Sequence, residues 1–339
     1  MRAMLLAAGL GTRLRPVTEA LAKPAVPFLT APLLFWSIEF LRELSPDRFV
    51  INLHYLPDSI RELIPTLQMN GIETRFTHEV QAPLGSGGAL WFAKNELQDS
   101  ETILVANADE VMFPVRPDAL RRLKAHHEKT GALATILTMR HPDVGTHFGG
   151  VWVDENNRVL GFGKDRSKFP QAREGLHYVG VLLLNRRVFS YLPEGESNLL
   201  YDALVAGIHK GERVEAFREE LLWFETGNPK DFLQATRDVL PYLSPQASPS
   251  LASTLVQNVV RRYGDQGLRV WEGHKGARLI ASTYAAGSIE DSILCERLEK
   301  ENAFAVIGAG AAIQAPLINS IALPKTNVAK EVRDVIVVS

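Results

Sequence analysis

The chain is poor in several things that would have named a function class. It has one cysteine in 339 residues, Cys295. That excludes an intramolecular disulfide and fits a reducing compartment, so a cytoplasmic location is expected. No apolar run approaches the ~18 residues of a membrane span. The short apolar stretch Met4–Leu10 runs straight into Arg13 and Arg15, and reads as a strand rather than a signal core. Formal net charge is -2, so no global basic field points to nucleic acid. The 9 histidines are scattered, apart from His126 and His127, whose adjacency turns them to different sides of a helix. Neither they nor Cys295 have the spacing of a zinc site. Two familiar glycine motifs are also missing. A G-x-G-x-x-G fingerprint starting at Gly9 would need glycine where Leu14 stands, and no G-x-x-x-x-G-K-[ST] occurs.

What is present is an alternation of strand and helix over the first two-thirds of the chain. Ala3–Ala8, Phe49–Leu53, Thr102–Ala106 and Leu133–Met139 read as buried strands. Between them, Ile60, Leu63, Ile64 and Leu67 recur at helical spacing, Pro32 opens a helix with Leu34, Ile38 and Leu41 on one face, and Pro117 opens another that runs to about Thr130. This pattern predicts a Rossmann-like α/β fold, a twisted and mainly parallel sheet covered by helices, with ligands beyond the carboxyl ends of the strands. From Gly149 to Leu184 strands follow one another without helices. Two helical patterns come next, around Asn198–Lys210 and Pro229–Leu243. The Ser/Pro-rich stretch 244–254 reads as a linker. Beyond it, Ile307 and Ile313 lie six apart among small residues, and "IEDSIL" (Ile289–Leu294) echoes "LINSIA" (Leu317–Ala322). These hint at the stacked short strands of a β-helix. The expected organisation is therefore a domain over 1–243, a linker over 244–254 and a small β-helix-like domain over 255–339.

The loop "GLGTRLR" directly follows the first strand. Gly9 and Gly11 allow backbone amides to approach a ligand, Thr12 adds a hydroxyl, and Arg13 offers a planar fork for two phosphate oxygens. "GSGG" (Gly85–Gly88) precedes a helix and brings bare backbone to a flat base, with Ser86 placed to cap the helix start. Asp109, at the end of "VANADE", is a carboxylate just past a buried strand, where it can hold Mg²⁺. Glu110 is the competing acid. Asn228 reads as an N-cap with Pro229 in the first turn. Glu79, ahead of "APLGSGG", can accept hydrogen bonds from a guanine ring N–H and amino group.

The string "AAGLGTRLRPVT" followed by "AKPAVPF" resembles the signature of the sugar-1-phosphate nucleotidyltransferases, the nucleotide-sugar pyrophosphorylases. The similarity continues in order through "APLGSGGAL", "VANADE", "GFGKD" and "WFETGNPKDF" to about residue 243. It implies transfer of a nucleoside monophosphate from a nucleoside triphosphate to a sugar 1-phosphate, with release of pyrophosphate, on a glycosyltransferase-A-like fold. It also implies Mg²⁺ as cofactor and a left-handed β-helix-like tail; the uncovered strand edges of so short a stack are expected to pack on the first domain or on a second copy, in a possible homodimer. By the same resemblance, Ala7, Ala8, Gly9, Gly11, Thr12, Glu79, Gly85 and Ser86 meet the nucleotide. Arg13 and Lys23 clamp its phosphates, Gly149 and Lys164 meet the sugar phosphate, and Asp109 and Glu225 face the metal. Glu79 favours GTP, since uracil and thymine offer one ring N–H and no amino group, and the resemblance to mannose-1-phosphate guanylyltransferase-like members favours mannose 1-phosphate or a related sugar.

Three positions depart from the family pattern. Ala22 replaces a proline before Lys23, Gly163 stands where an acid that binds sugar hydroxyls usually precedes Lys164, and Glu225 replaces an aspartate. They keep open a non-catalytic regulatory subunit of the same fold that binds nucleotide sugars. An oxidoreductase on a dinucleotide fold is disfavoured by Leu14.

Overall fold

The computed structural model describes residues 1–338 except 70, 72, 245, 246, 266, 274, 275 and 284. The chain forms two compact units, Met1–Gly9 with Phe40–Trp223, and Leu10–Glu39 with Phe224–Ser339. This division differs from the one read in the sequence, because the segment 10–39 clusters with the C-terminal third.

The first unit is built on a nine-stranded sheet. Its strands are β1 (Arg2–Leu6), β2 (Arg48–Leu53), β3 (Thr74–His78), β4 (Thr102–Asn107), β5 (Ala134–Met139), β6 (Gly150–Val153), β7 (Val159–Gly163), β8 (Glu174–Asn185) and β9 (Val214–Arg218). The order is β7-β6-β8-β4-β1-β2-β3, with β5 also beside β8 and β9 beside β5. β1, β2, β3 and β4 are mutually parallel, and β8 runs antiparallel to β4, β5 and β6. Strands buried on both faces read as continuous apolar runs, as "TILVA" does. Met4, Val50, Ile103, Val105, Ile136 and Leu182 form the core with helix α2 (Gly85–Phe92), through its buried Ala89 and Leu90. Helix α3 (Ala119–Thr130) buries Leu120, Leu123 and His127. It ends on Gly131 at φ 58, a left-handed C-cap that glycine adopts without strain.

In the second unit, residues 10–25 are a chain of single 3₁₀ turns, Thr12–Leu14, Val17–Glu19 and Lys23–Ala25. A miniature ladder follows, Pro27–Phe28 against Ala31–Pro32. The unit then uses the first turns of α1 (Leu33–Leu41) together with α4 (Pro229–Leu243) and α5 (Leu251–Tyr263). Phe28 makes edge-on contacts with Trp36 and Phe232 at 5.3 and 5.4 Å between ring centres, and Phe35 stacks on Tyr263 at 4.4 Å. Arg262 pairs with Glu39 at 2.8 Å. α4 begins as expected, with the Asn228 side chain accepting from the Asp231 N–H.

The tail is β-helix-like. β10 (Arg269–Glu272) pairs antiparallel with β11 (Arg278–Ala281), which leads a parallel stack of β12 (Phe304–Ile307), β13 (Ser320–Ala322) and β14 (Ile336–Val337). Two further ladders pair Ala312–Ile313 with Asn327–Val328, and Leu317–Ile318 with Val332–Arg333. Each partner lies 15 positions on, as from Ala305 to Ser320, Ala312 to Asn327, Leu317 to Val332 and Ile321 to Ile336. A coil thus holds three fewer residues than three hexads, which is why the hexad pattern slips. The step from Arg278 to Phe304 is 26, longer by the 11 residues of helix α6 (Asp291–Glu301) inserted into that coil.

Four sequence expectations change. "IEDSIL" is no β-coil, because from Asp291 it is α6, which buries Leu294 and Leu298 one turn apart. The linker read over 244–254 ends in the first turn of α5, where Ser250 and Ser253 form a reciprocal capping box. Residues 245 and 246 of that stretch lie outside the described residues. Pro117 stands before the N-cap, Asp118, rather than in the first turn. The pattern over 198–210 begins as a π-helical turn, Leu199–Leu204, before the α-helical Val205–His209.

Candidate active site

The carboxyl ends of β1, β2, β3 and β4 share one edge of the sheet, and a cavity of about 300 Å³ opens there. Leu6, Ala8, Gly9, Asn52, Glu79 and Asp109 are among the residues that line it, with Gly85 and Ser86 from the first turn of α2. The wall is tied by a buried polar relay. Asn52 Oδ1 accepts from the Ala7 N–H at 2.8 Å, and Asn52 Nδ2 donates to Glu79 Oε1 at 2.7 Å. Glu79 Oε2 accepts from the Leu84 N–H at 2.6 Å. Both oxygens of Glu79 therefore already hold a donor, and its first role is to brace the wall. Asn52 was missed in the sequence, although an asparagine inside the apolar run "FVINL" was its signal.

The glycines of "GSGG" also meet a packing partner that the sequence did not announce. A Cβ at Gly85 would stand 2.5 Å from the Ser197 carbonyl oxygen, and one at Gly87 2.6 Å from Ser197 Oγ. A Cβ at Gly88 would meet the Gly195 carbonyl oxygen. The glycines let this turn press against the segment 195–198, and Gly87 N–H donates to the Ser197 oxygen at 2.8 Å. Ser86 does not cap α2. Its hydroxyl accepts from the Leu199 N–H at 2.9 Å, capping the π-helical turn instead.

The two acids after β4 separate cleanly. Glu110 accepts from Asn107 Nδ2 and from Trp223 Nε1, each at 2.9 Å. Gly180, at φ +82, makes room for this arrangement, since a Cβ there would lie 2.6 Å from Glu110 Oε1. Asp109 is the acid that lines the cavity.

Gly149 and Lys164 do not line this cavity. Lys164 lines a second, broader one of about 620 Å³ with His141, Trp152, Arg166 and Glu174. It is exposed and makes no ion pair among the described residues. Gly149 lies against Gly163, with the Tyr201 hydroxyl 3.5 Å from where its Cβ would be. Next to Gly149, Phe148 packs into an aromatic group with His177 (4.7 Å), His141 (5.0 Å) and Trp223 (5.6 Å). His177 is buried, and neither of its ring nitrogens has a hydrogen-bond partner among the described residues. Burial pushes its pKa down to about 4, helped by His141.

In the second unit, Gly11 takes φ +63, with the Thr18 methyl 3.0 Å and the Lys23 Cβ 3.3 Å from its would-be Cβ. Thr18 Oγ1 donates to the Gly11 carbonyl at 2.8 Å, so the loop is folded on itself around that glycine. Arg13 and Glu225 come together at Gly227. A Cβ there would meet Glu225 Oε1 and stand 3.1 Å from the Arg13 guanidinium carbon. Arg13 is exposed and makes no ion pair among the described residues. Among those residues there is no group of three His, Cys, Asp or Glu that could cage a metal.

The nucleotidyl transferase family pattern matches residues 2–241. The chain belongs to the nucleotidyl transferase family. It is 29% identical over 255 residues to the UTP–glucose-1-phosphate uridylyltransferase of Synechocystis sp., covering 71% of this chain and 63% of that one. To the mannose-1-phosphate guanylyltransferase catalytic subunit beta of Dictyostelium discoideum it is 28% identical over 239 residues, covering 69% and 63%. The chain thus spans somewhat under two-thirds of the length of these curated relatives. Among solved structures, the UDP-glucose pyrophosphorylase of Acinetobacter baumannii shares the fold with a TM-score of 0.60 at 21% identity, covering 77% of this chain and 98% of that one. The inositol-1-phosphate CTP transferase of T. maritima does so with a TM-score of 0.58 at 21%, covering 76% and 96%. As a family member, the chain carries its cavity at the edge where open α/β sheets bind ligands. No helix among the described residues is long and apolar enough to cross a membrane.

Proposed function

We propose that this protein transfers a nucleoside monophosphate from a nucleoside triphosphate to a sugar 1-phosphate, releasing pyrophosphate, and that residues 1–243 carry the chemistry. One observation carries the reading: the cavity at the carboxyl ends of four parallel strands is lined by Gly9, Gly85, Ser86 and the carboxylate of Asp109. Its volume suits the nucleoside part of a nucleotide. Ala8, Gly9, Glu79, Gly85 and Ser86 line the cavity and are assigned to the nucleotide, together with Ala7, whose N–H is tied to Asn52 in that wall, and with Gly11 and Thr12 of the following loop.

The obstacle to the reaction is repulsion between two anions. Arg13 and Lys23 hold the triphosphate, and Lys164, which follows the Gly163 that Gly149 lies against, holds the sugar phosphate. They neutralise charge and keep the attacking oxygen, phosphorus and leaving group in line. A phosphate monoester is a nucleophile at neutral pH, so no dedicated general base is needed. Asp109 fits a Mg²⁺ that keeps waters and substrate phosphates in its shell, since such an ion needs only one or two protein carboxylates. When bound, the ion offsets phosphate charge. Glu225 is the second acid assigned to it, and its place beside Arg13 gives it an alternative role in steering that guanidinium.

The names of the relatives make GTP with mannose 1-phosphate, and UTP with glucose 1-phosphate, the pairs to try first. The test is pyrophosphate release across a panel of triphosphates and sugar 1-phosphates, with and without Mg²⁺. One pair should turn over, chelator should abolish it, and Asp109→Asn should lower it at least tenfold. A chain that binds nucleotide sugar but turns over no pair would favour the regulatory-subunit reading.

A further inference from the structure

The acceptor side of the proposed site lacks an expected group. Gly163 stands before Lys164, and Gly149 lies against Gly163, so this floor offers bare backbone to a sugar, and the carboxylates that line the Lys164 cavity come from Asp165 and Glu174 instead. The Tyr201 hydroxyl stands over that floor, 3.5 Å from the would-be Cβ of Gly149. We propose that Tyr201 reads the acceptor sugar, its phenol hydroxyl bonding a ring hydroxyl of a pyranose 1-phosphate whose phosphate Lys164 holds. The inference rests on the reading of Lys164 and Gly149 given above.

A half-exposed tyrosine can simply be wetted by water, but two features set this one apart. First, its hydroxyl has no hydrogen-bond partner among the described residues, while its backbone is firmly placed. Asn198 Oδ1 accepts from the Leu200 and Tyr201 N–H groups at 2.9 and 3.0 Å, and the ring sits edge-on to Phe162 at 6.0 Å. Second, its turn is stapled to the nucleotide cavity, because Ser86, which lines that cavity, accepts from the Leu199 N–H. One short π-helical turn thus links the cavity wall to the Gly149–Gly163 floor, all within one compact unit. π-Helical turns recur at functional sites.

The chemistry differs from that of a carboxylate. A carboxylate only accepts and can hold two sugar hydroxyls, whereas a phenol donates one hydrogen bond and accepts another, and its ring face suits the C–H face of a pyranose. Discrimination between epimers should therefore hang on one hydroxyl.

Steady-state kinetics of the full chain test this, with mannose, glucose and galactose 1-phosphates as probes and Tyr201→Phe, Tyr201→Ala and Lys164→Ala as variants. Tyr201→Phe keeps the ring on Phe162, and an unchanged thermal melt verifies its fold. It should raise KM for the preferred sugar 1-phosphate about threefold to tenfold, the range for one lost neutral hydrogen bond. KM for the triphosphate and kcat should stay within about twofold. Tyr201→Ala should also narrow the preference among the three sugars. If Lys164→Ala raises KM for the sugar phosphate while both Tyr201 variants leave KM and preference unchanged, the Tyr201 inference falls alone. If none of the three variants moves KM, the placing of the sugar phosphate falls with it.

Discussion

Arg13 and Lys164, assigned to phosphates by resemblance, are exposed cations without an ion pair among the described residues, so their charge is available to a ligand. A paired arginine has already given up its charge to a neighbour, as Arg122 has to Glu219. Removing a preorganised charge that faces a transferring phosphate often costs ~10²–10³ in rate. Arg13→Ala and Lys23→Ala should each lower kcat/KM at least tenfold, with circular dichroism unchanged; near-normal kinetics in both would remove the phosphate clamp. Glu225→Asp distinguishes the two roles of that acid. If it keeps Mg²⁺ dependence while Glu225→Ala shifts it, the carboxylate reaches the ion. If both leave Mg²⁺ dependence unmoved, its partner is Arg13. A second residue-scale prediction concerns acid. His127 is buried and bonded to Thr135 Oγ1 at 2.8 Å, and burial, helped by His126 and Arg187, pushes its pKa down to about 4, as happens at His177. An unfolded histidine titrates near 6.5, so between about pH 6.5 and 4 the unfolded chain binds more protons. The stability contributed by each neutral ring is complete above that window and is lost as pH falls through it, with a slope of at most about 1.4 kcal/mol per pH unit. Urea unfolding at pH 7, 6 and 5 should show the decline, and His177→Phe should make it shallower. An unchanged slope in that variant would mean His177 does not titrate in this window.

At the scale of the element, legibility followed burial and period. The central strands and α4 were readable to within a residue or two, because apolar runs and an i, i+3, i+4 face report a local environment that the chain itself encodes. What stayed hidden depended on partners distant in sequence. Ser86 looks like a cap for its own helix until Leu199, 113 residues on, supplies the N–H. "SPQASPSLAST" looks like a linker because the buried face of its helix begins with only the small Ala252 and Ser253, and its large members, Val256, Val259, Val260 and Tyr263, come later. Gly9, Glu79, Gly85, Ser86 and Asp109, singled out in the sequence, line one cavity, but the relay from Ala7 through Asn52 and Glu79 to Leu84 was not legible, since hydrogen bonds between loops leave no period. The "GSGG" turn carries the sharpest element-scale test. A methyl at Gly88 runs into the Gly195 carbonyl and comes within 2.9 Å of the Leu84 Cβ, so either the turn or the 195–198 segment must shift. Gly88→Ala should cost about 1–3 kcal/mol of stability, as overpacking does, and should raise KM for the triphosphate, since Gly85 and Ser86 line the cavity. Gly211→Ala is the control: it pays only the φ +84 strain, with nothing within 4 Å of its would-be Cβ, and should melt lower without touching KM.

At the scale of the whole molecule, the question is where the chain can be cut. The sequence reading places the boundary after Leu243, between a catalytic part and a tail. The second compact unit argues for a later cut. α5 stacks Tyr263 on Phe35 and sets Arg262 on Glu39, and Phe35 and Glu39 belong to the same segment, 10–39, that carries Arg13 and Lys23. Asp265, by contrast, faces the tail: its carboxylate accepts from Ser282 Oγ at 2.5 Å and from the Ala309 N–H at 3.1 Å. The helix therefore belongs with the segment 10–39, and the β-helix-like stack starts after it. Truncation after Leu243 removes both Tyr263, which covers Phe35, and Arg262, the partner of Glu39, and so opens an apolar face that the segment 10–39 keeps covered in the full chain. We expect that variant to aggregate or to lose turnover. Truncation after Gly264 keeps the stack and the ion pair, and should leave a soluble chain with measurable turnover, read by light scattering and pyrophosphate release. A chain cut after Gly264 that is monodisperse yet inactive would mean the tail completes the active site. Equal activity after both cuts would show that α5 contributes nothing to the segment bearing Arg13 and Lys23, and would restore the boundary read from the sequence.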